Sequence, residues 1–345
     1  MRISDFDYEL PPELIAQQPL AERAASRMLV VDRAAQTWSD SQFKQFPEFL
    51  RANDAIVLNN TRVFPARLVG ERSPSGGAAE LFLIREIGTN VWETLARPAR
   101  RLRQGSRIVF GGSRLHAEVV ELLNNGMRLV RFESSDPLDQ VIDDLGETPL
   151  PPYIKRDVGS DADDKERYQT VYASQRGAIA APTAGLHFTP TVLKNVKARG
   201  VSISEVTLHV GYGTFEPVRS DDVDHHRVAP EWSFVTDEAA AKINDARELG
   251  GRLVTVGTTT TRALESAVGS DSRIAGRSGF VDLTIVPGYE FRAVDVLLTN
   301  FHLPRSSLLM LVSAFAGRDL ILAAYRHAVR EGYRFYSYGD CMLIL

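Results

Sequence analysis

The 345-residue chain has one cysteine, Cys341. A single thiol forms no internal disulfide, so a cross-linked secreted scaffold is excluded. Long apolar runs are missing too: the longest, SSLLMLVSAFAG at 306–317, falls short of the ~20 residues a membrane helix needs. The opening MRISDFDYEL is acidic and lacks the apolar core of a signal peptide. Neither sign of charge dominates, with 40 basic against 44 acidic residues and a net charge of −4. No general basic field therefore announces a nucleic-acid partner. The short signatures of familiar chemistries are also absent: no P-loop, no G-x-G-x-x-G, no G-x-S-x-G and no H-E-x-x-H or paired-cysteine spacing. Gly211-Tyr212-Gly213 is a lone G-x-G and reads as a turn. DDVDHH (221–226) reads as a solvated turn and not as a metal site. The expectation is a cytoplasmic protein without metal, with no membrane partner.

What is present is an ordinary globular composition, 44% hydrophobic and 24% charged, at a length that suggests two domains or one with an insertion. Residues 66–132 hold six short strand candidates, ARLVG, AELFLIREI, VWETLARP, SRIVF, RLHAEVVELL and MRLVRFE, cut by SPSGG, GTN, GGS and the hairpin signal Asn125-Gly126. That spacing predicts a small antiparallel barrel. Beyond residue 150, strand-like and helical runs alternate, which predicts an α/β domain. Helices are expected over TPTVLKNVKARG, 237–249, TRALESAVG, 306–316 and 318–331. Strands are expected at VSISEVTLHV, RLVTVG, FVDLTIV, VDVLLTNFH and YRFYSYG, with AIVLNN (55–60) joining the same sheet. The predicted organisation is a discontinuous α/β domain, 1–62 and 150–345, with a six-stranded β-barrel inserted at 63–149. The acidic stretch 157–166 reads as a solvated loop, and Cys341 as a small buried hydrophobe.

Several apolar runs halt at a polar or glycine-rich elbow: LNNTR (58–62), APTAGLHF (181–188), LHVGYGTF (208–215), VGTTTTRALE (256–265), TNFHLP (299–304) and YGD (338–340). Ligands in open α/β sheets collect at the carboxyl ends of strands, so six elbows suggest one shared pocket. In VGTTTTRALE a helix N-terminus offers free amides and partial positive charge, and Arg262 adds a guanidinium suited to a carboxylate. An ordinary threonine-capped helix with a surface arginine fits that segment equally well. His187, His209 and His302 each sit near a strand end, where acid–base work and satisfied burial are both open. The one basic cluster, RPARRLRQGSR, carries Arg97, Arg100, Arg101, Arg103 and Arg107. On a barrel rim it would suit a phosphate backbone.

Taken in order, FDYELPPELIAQQP, SRMLVVDR, LNNTRVFPARL, LPPYI, YQTVYA, AAPTAGLHFT, VTLHVGYGTFEPV, VGTTTTRALES, VPGYEF, TNFHLPRSSLLMLVSAFAG and YRFYSYGDCMLI closely resemble the S-adenosylmethionine:tRNA ribosyltransferase-isomerases of queuosine biosynthesis. The resemblance implies an α/β domain with an attached barrel. It also implies transfer of the ribosyl part of S-adenosylmethionine to 7-aminomethyl-7-deazaguanine at the tRNA wobble position. Epoxyqueuosine forms in the tRNA and adenine and methionine leave. The donor is a co-substrate; no metal is implied. That chemistry needs a base beside the sulfonium, an acid for the leaving adenine and a neutral amine. His187, His209, His302, Asp340 and Glu231 are the candidates. Arg262 with Thr258 and Thr259 would hold the methionine carboxylate, and Thr183 and Gly185 would admit the nucleoside. Asn59, Arg62, Gly211 and Gly213 would complete the pocket. Arg97, Arg100, Arg101 and Arg103 would meet the tRNA, with the protein acting as a monomer. The chain departs from the family pattern at Ala229, where a histidine is usual, and at Thr260-Thr261, where Ser-Val is commoner.

Two rivals compete with that reading. A conventional tRNA methyltransferase would leave S-adenosylhomocysteine and no adenine. A tRNA-binding protein would consume no donor.

Overall fold

The computed structural model describes residues 1–156, 162–215, 218 and 221–345. In chain order the elements begin with β1 (Arg27–Asp32), β2 (Thr37–Gln42), β3 (Ala55–Asn59) and β4 (Thr61–Val63). Six strands follow: β5 (Arg67–Ser73), β6 (Ala78–Gly88), β7 (Val91–Arg97), β8 (Arg107–Phe110), β9 (Leu115–Leu122) and β10 (Arg128–Glu133). Next come α1 (Leu138–Leu145), α2 (Ala162–Arg167), β11 (Gln175–Ala178), α3 (Pro190–Ala198), β12 (Ser202–Leu208) and β13 (Glu231–Val235). The chain ends with α4 (Asp237–Glu248), β14 (Leu253–Val256), α5 (Thr258–Ala267), β15 (Arg277–Val281), β16 (Val296–Asn300), α6 (Ser307–Ala316), α7 (Arg318–Arg330) and β17 (Cys341–Ile344).

Two compact units result, one of residues 1–62, 152–155 and 169–345, the other of 63–151 and 156–168. The first is a nine-stranded mixed sheet in the order β15-β13-β12-β3-β14-β16-β17-β1-β2, with a two-stranded ribbon of β11 and β4. Its centre, β12-β3-β14-β16, is parallel. Alternation along β3 shows why both faces are covered. Ala55 and Val57 enter a core built with α4 to α7, while Ile56 and Leu58 enter another with Phe43, Phe46, Phe188 and α3. The second unit is a closed antiparallel barrel, β10-β7-β6-β5-β8-β9. Period-two burial of Leu81 and Leu83, Trp92, Thr94 and Ala96, and Ala117 and Val119 fills its interior.

Some elements differ from the sequence expectation. YRFYSYG is not a strand: Tyr336 adopts φ +75° and the chain turns there. The last strand is Cys341–Ile344, a wholly buried apolar run in which Cys341 is packed. FVDLTIV is a strand only to Val281, which pairs with Glu231; beyond it the Leu283 carbonyl accepts from the Arg262 side chain. In the acidic stretch 157–166, residues 157–161 lie outside the described residues. The rest is no solvated loop: α2 forms, and Asp164 is buried and pairs with Arg156 at 2.5 Å. Lys165 also donates to the Asp143 carbonyl at 3.0 Å, which ties α2 to α1. Arg156 and residues 162–168 thus join the barrel unit, where the sequence reading assigns them to the larger domain. Among the described residues no single helix is long and apolar enough to cross a membrane; α6 and α7 bend by 116°.

Candidate active site

Because β12, β3, β14 and β16 run parallel, their carboxyl ends share one edge of the sheet. β17 runs antiparallel to β16, with Cys341 opposite Asn300, so its amino end lies at that edge too. The elbow residues meet there for topological reasons.

Asn59, fully buried, stitches the centre. Its Nδ2 donates to the Leu208 carbonyl at 2.9 Å and the Thr259 hydroxyl at 3.4 Å, while its Oδ1 accepts from the amides of Leu208 and Thr61. The α5 N-terminus follows Gly257, whose φ of +90° makes the sharp entry. Thr260 and Thr261 spend their hydroxyls on the carbonyls of Val256 and Gly257. The hydroxyl of Thr258, the buried first residue of the helix, has no hydrogen-bond partner among the described residues.

Arg262 is 6% exposed and already holds a carboxylate. Its Nη1 donates to Glu231 Oε2, Nε to the Leu283 carbonyl at 2.9 Å and Nη2 to the Val281 carbonyl at 3.3 Å. Glu231 Oε1 accepts the Gly211 amide at 2.8 Å. The pair lines a cleft together with Gly213, Ala229, Thr284 and Ser307. A Cβ on Gly213 would come within 2.8 Å of the Ala229 Cβ. Glu216 and Pro217, further along the same run, lie outside the described residues.

His187 lies in a short 3-10 turn, Thr183–His187, before α3. Its Nδ1 bonds the Ser26 hydroxyl at 2.9 Å. Its Nε2 is buried with no partner. Burial pulls its pKa down to about 4, against a smaller opposite pull from the Asn300 amide beside it. Gly185 faces protein: a Cβ there would meet the Tyr172 hydroxyl at 2.1 Å. His302 Nε2 bonds the Thr299 hydroxyl at 3.0 Å, its amide donates to the Tyr325 hydroxyl, and its carbonyl accepts from Tyr8. Burial lowers its pKa to about 3. Asp340 accepts the amides of Arg27 at 2.9 Å and Arg334 at 2.8 Å. Burial raises its pKa against those bonds. His209 Nδ1 bonds the Thr61 hydroxyl at 2.7 Å, and burial lowers its pKa. Arg62 is exposed.

In the barrel unit Arg97, Arg100, Arg101 and Arg103 are exposed. Arg97 lies 4.0 Å from Glu80 and Arg107 3.6 Å from Glu118, whereas Arg100, Arg101 and Arg103 have no acidic partner among the described residues. No group of three His, Cys, Asp or Glu is placed to hold a metal among the described residues.

The profile of the family described as queuosine biosynthesis protein matches residues 3–344. A relative in Symbiobacterium thermophilum is 51% identical over 345 residues, 100% of either chain. Another in Desulfitobacterium hafniense is 49% identical over the same span. Both are named S-adenosylmethionine:tRNA ribosyltransferase-isomerase. The chain belongs to the queuosine biosynthesis protein family. The crystal structure of S-adenosylmethionine tRNA ribosyltransferase from Thermotoga maritima is similar to it, at 38% identity and a TM-score of 0.57, covering 99% of this chain and 100% of that one.

In this queuosine biosynthesis protein the sheet edge also holds groups that sequence reasoning passed over. Asn300 donates to the Tyr336 carbonyl at 2.9 Å, which leaves its buried Oδ1 unpartnered next to His187. Tyr172 Oη and Arg334 Nη1 are also buried without partners. A buried polar atom without a partner is costly. Asn300 sits inside the TNFHLP elbow, where the neighbouring histidine drew the attention. Tyr172 and Arg334 lie in YQTVYA and YRFYSYG, segments read for their resemblance and not for a role of these two side chains.

Proposed function

We propose that this chain transfers and isomerises the ribosyl moiety of S-adenosylmethionine onto 7-aminomethyl-7-deazaguanine at the wobble position of tRNA. The product is epoxyqueuosine-tRNA, with adenine and methionine released. The observation that carries the reading is the end-to-end relationship to enzymes named for this activity. The convergence of elbow residues on one sheet edge supports it. The reading places the protein in the cytoplasm as a monomer, with S-adenosylmethionine as co-substrate.

The residues present suit the steps. Burial favours a neutral His187 imidazole, with Nδ1 at Ser26 and Nε2 without a partner; in the tautomer that donates from Nδ1 to Ser26, Nε2 is free to accept a proton. Asn300 Oδ1 beside it would take the resulting N–H and steady the imidazolium. The α5 N-terminus, with the Thr258 hydroxyl, suits the methionine carboxylate. The Glu231–Arg262 pair is the charged wall beside it, and Gly211 and Gly213 keep that wall thin. His302, Asp340 and Asn59 act by position, pinning strand ends. Thr183 and Gly185 shape the turn that presents His187. Arg62 would serve the substrate pocket, and the exposed Arg97, Arg100, Arg101 and Arg103 of the barrel unit would meet the polyanion.

The test is product analysis. Purified protein, S-adenosylmethionine and tRNA bearing the aminomethyl base are mixed, and the small molecules are separated by chromatography. Adenine rising in step with tRNA modification supports the proposal. S-adenosylhomocysteine without adenine would make the protein a methyltransferase, and tight tRNA binding with no turnover would make it a binding protein.

A further inference from the structure

A neutral His187 can carry its proton on either ring nitrogen, and only one of the two forms leaves Nε2 able to act as a base. The choice is set by the bond at the other nitrogen, and that bond belongs to Ser26. Ser26 follows the 3-10 turn Arg23–Ala25 and is buried. Its backbone is held on both sides. Its carbonyl accepts the Phe43 amide at 2.9 Å, and the next amide, that of Arg27, donates to Asp340 at 2.9 Å. Its Oγ lies 2.9 Å from His187 Nδ1 and 3.3 Å from the Arg23 carbonyl. The same turn grips the backbone just before the imidazole, where Arg23 Nη1 donates to the Leu186 carbonyl at 3.1 Å. The imidazole also packs on the Phe43 ring, centroids 5.3 Å apart.

A serine hydroxyl has one proton to give. The Arg23 carbonyl can only accept it, whereas Nδ1 can accept or donate. With the proton turned to Arg23, the Oγ lone pair takes Nδ1–H, and both contacts are hydrogen bonds. With the proton turned to Nδ1, the Arg23 contact is lost and the ring proton moves to Nε2, which is buried with no partner. Asn300 Oδ1 stands beside Nε2 but is itself unbonded, so no bond on that side offsets the loss. The first arrangement makes two hydrogen bonds; the second makes one and leaves a buried N–H bare, the costlier state. We infer that Ser26 is a positioning residue for the proposed reaction: by donating to the Arg23 carbonyl it fixes the His187 tautomer with Nδ1 protonated and Nε2 free. That role rests on the reading of His187 as the base. It is invisible from the elbow itself, because Ser26 lies 161 residues before the histidine, in SRMLVVDR.

The test is a long-range proton–nitrogen NMR correlation on the substrate-free protein labelled with nitrogen-15 in its histidine rings, at neutral pH. A protonated ring nitrogen and a bare one resonate far apart, so the tautomer is read directly. His187→Gln identifies the His187 signals among the seven histidines by their loss. The wild type is expected to show Nδ1 protonated and Nε2 bare. Ser26→Ala should move His187 toward the Nε2–H form and lower kcat for ribosyl transfer by about a hundredfold, the smaller end of what a general base contributes. The KM for S-adenosylmethionine should stay unchanged, and Ser26→Thr, which keeps the hydroxyl, should restore tautomer and turnover together. A wild-type proton on Nε2, facing Asn300, would overturn the role without any variant having to fold. Ser26→Ala with its tautomer unmoved would overturn it as well, and turnover lost in that case would make Ser26 a packing residue only. A moved tautomer with full turnover would also overturn it. Wild type with the expected tautomer that releases S-adenosylhomocysteine and no adenine would sink the ribosyl-transfer reading while the fixed tautomer stood.

Discussion

At His187 the imidazole has exchanged water for one hydrogen bond to Ser26, and at His302 for one to Thr299. Both pKa values fall, to about 4 and about 3, chiefly through burial. In the unfolded chain a histidine titrates near 6.5. The unfolded state therefore takes up protons first as pH drops. The contribution of this pair is complete above about pH 6.5, declines as pH falls through about 4 for His187 and about 3 for His302, and then levels. Urea unfolding across that range checks this: His187→Gln is expected to flatten the decline, and an unchanged slope would contradict the assignment. Glu231 gives a second expectation. Glu231→Ala leaves the Arg262 charge buried with only carbonyls for company, which costs about 3–5 kcal/mol. Glu231→Gln keeps an acceptor and should cost less. Thermal unfolding of the two variants separates them.

Among the elements, α5 depends on a distant loop. Its Glu265 carboxylate accepts the amides of Arg292, Ala293 and Val294 and the Tyr289 hydroxyl, and so fixes the approach to β16. Glu265→Ala orphans those buried donors. It is expected to destabilise by about 3 kcal/mol and to raise hydrogen exchange at residues 289–294 before the sheet centre; uniform protection there would refute the link. The same scale shows what the sequence discloses. The barrel strands were legible because their alternation and turn residues are local. VGTTTTRALE was legible as a strand, an elbow and a helix, but not as a helix whose arginine is occupied by Glu231, since that partner lies 31 residues away in sequence. YRFYSYG misled because its aromatic alternation reflects burial of Tyr333 and Phe335 in a turn. The uniform run CMLI, with no alternation to read, is the true strand. Among site residues, His187 was visible from its elbow, whereas the bare acceptor of Asn300 follows from carbonyls at Tyr336 and Ser337 that only folding brings near.

For the whole molecule, the weak net charge of −4 conceals a local asymmetry, because Arg100, Arg101 and Arg103 on the barrel unit have no acidic partner among the described residues. If these residues meet phosphates, Arg100→Ala with Arg103→Ala removes two contacts. The slope of log affinity for tRNA against log salt should then shrink by about 1.4–1.8, measured by titration at several salt concentrations; an unaltered slope removes the patch from the account. The central claim is that the donor gives up its ribose and not its methyl group. Its most direct measurement uses two preparations of S-adenosylmethionine, one labelled in the ribose and one in the methyl group, each incubated with the protein and tRNA carrying the aminomethyl base. The account predicts ribose label in the tRNA and methyl label in free methionine. Methyl label in the tRNA, with the ribose label left in S-adenosylhomocysteine, would contradict it.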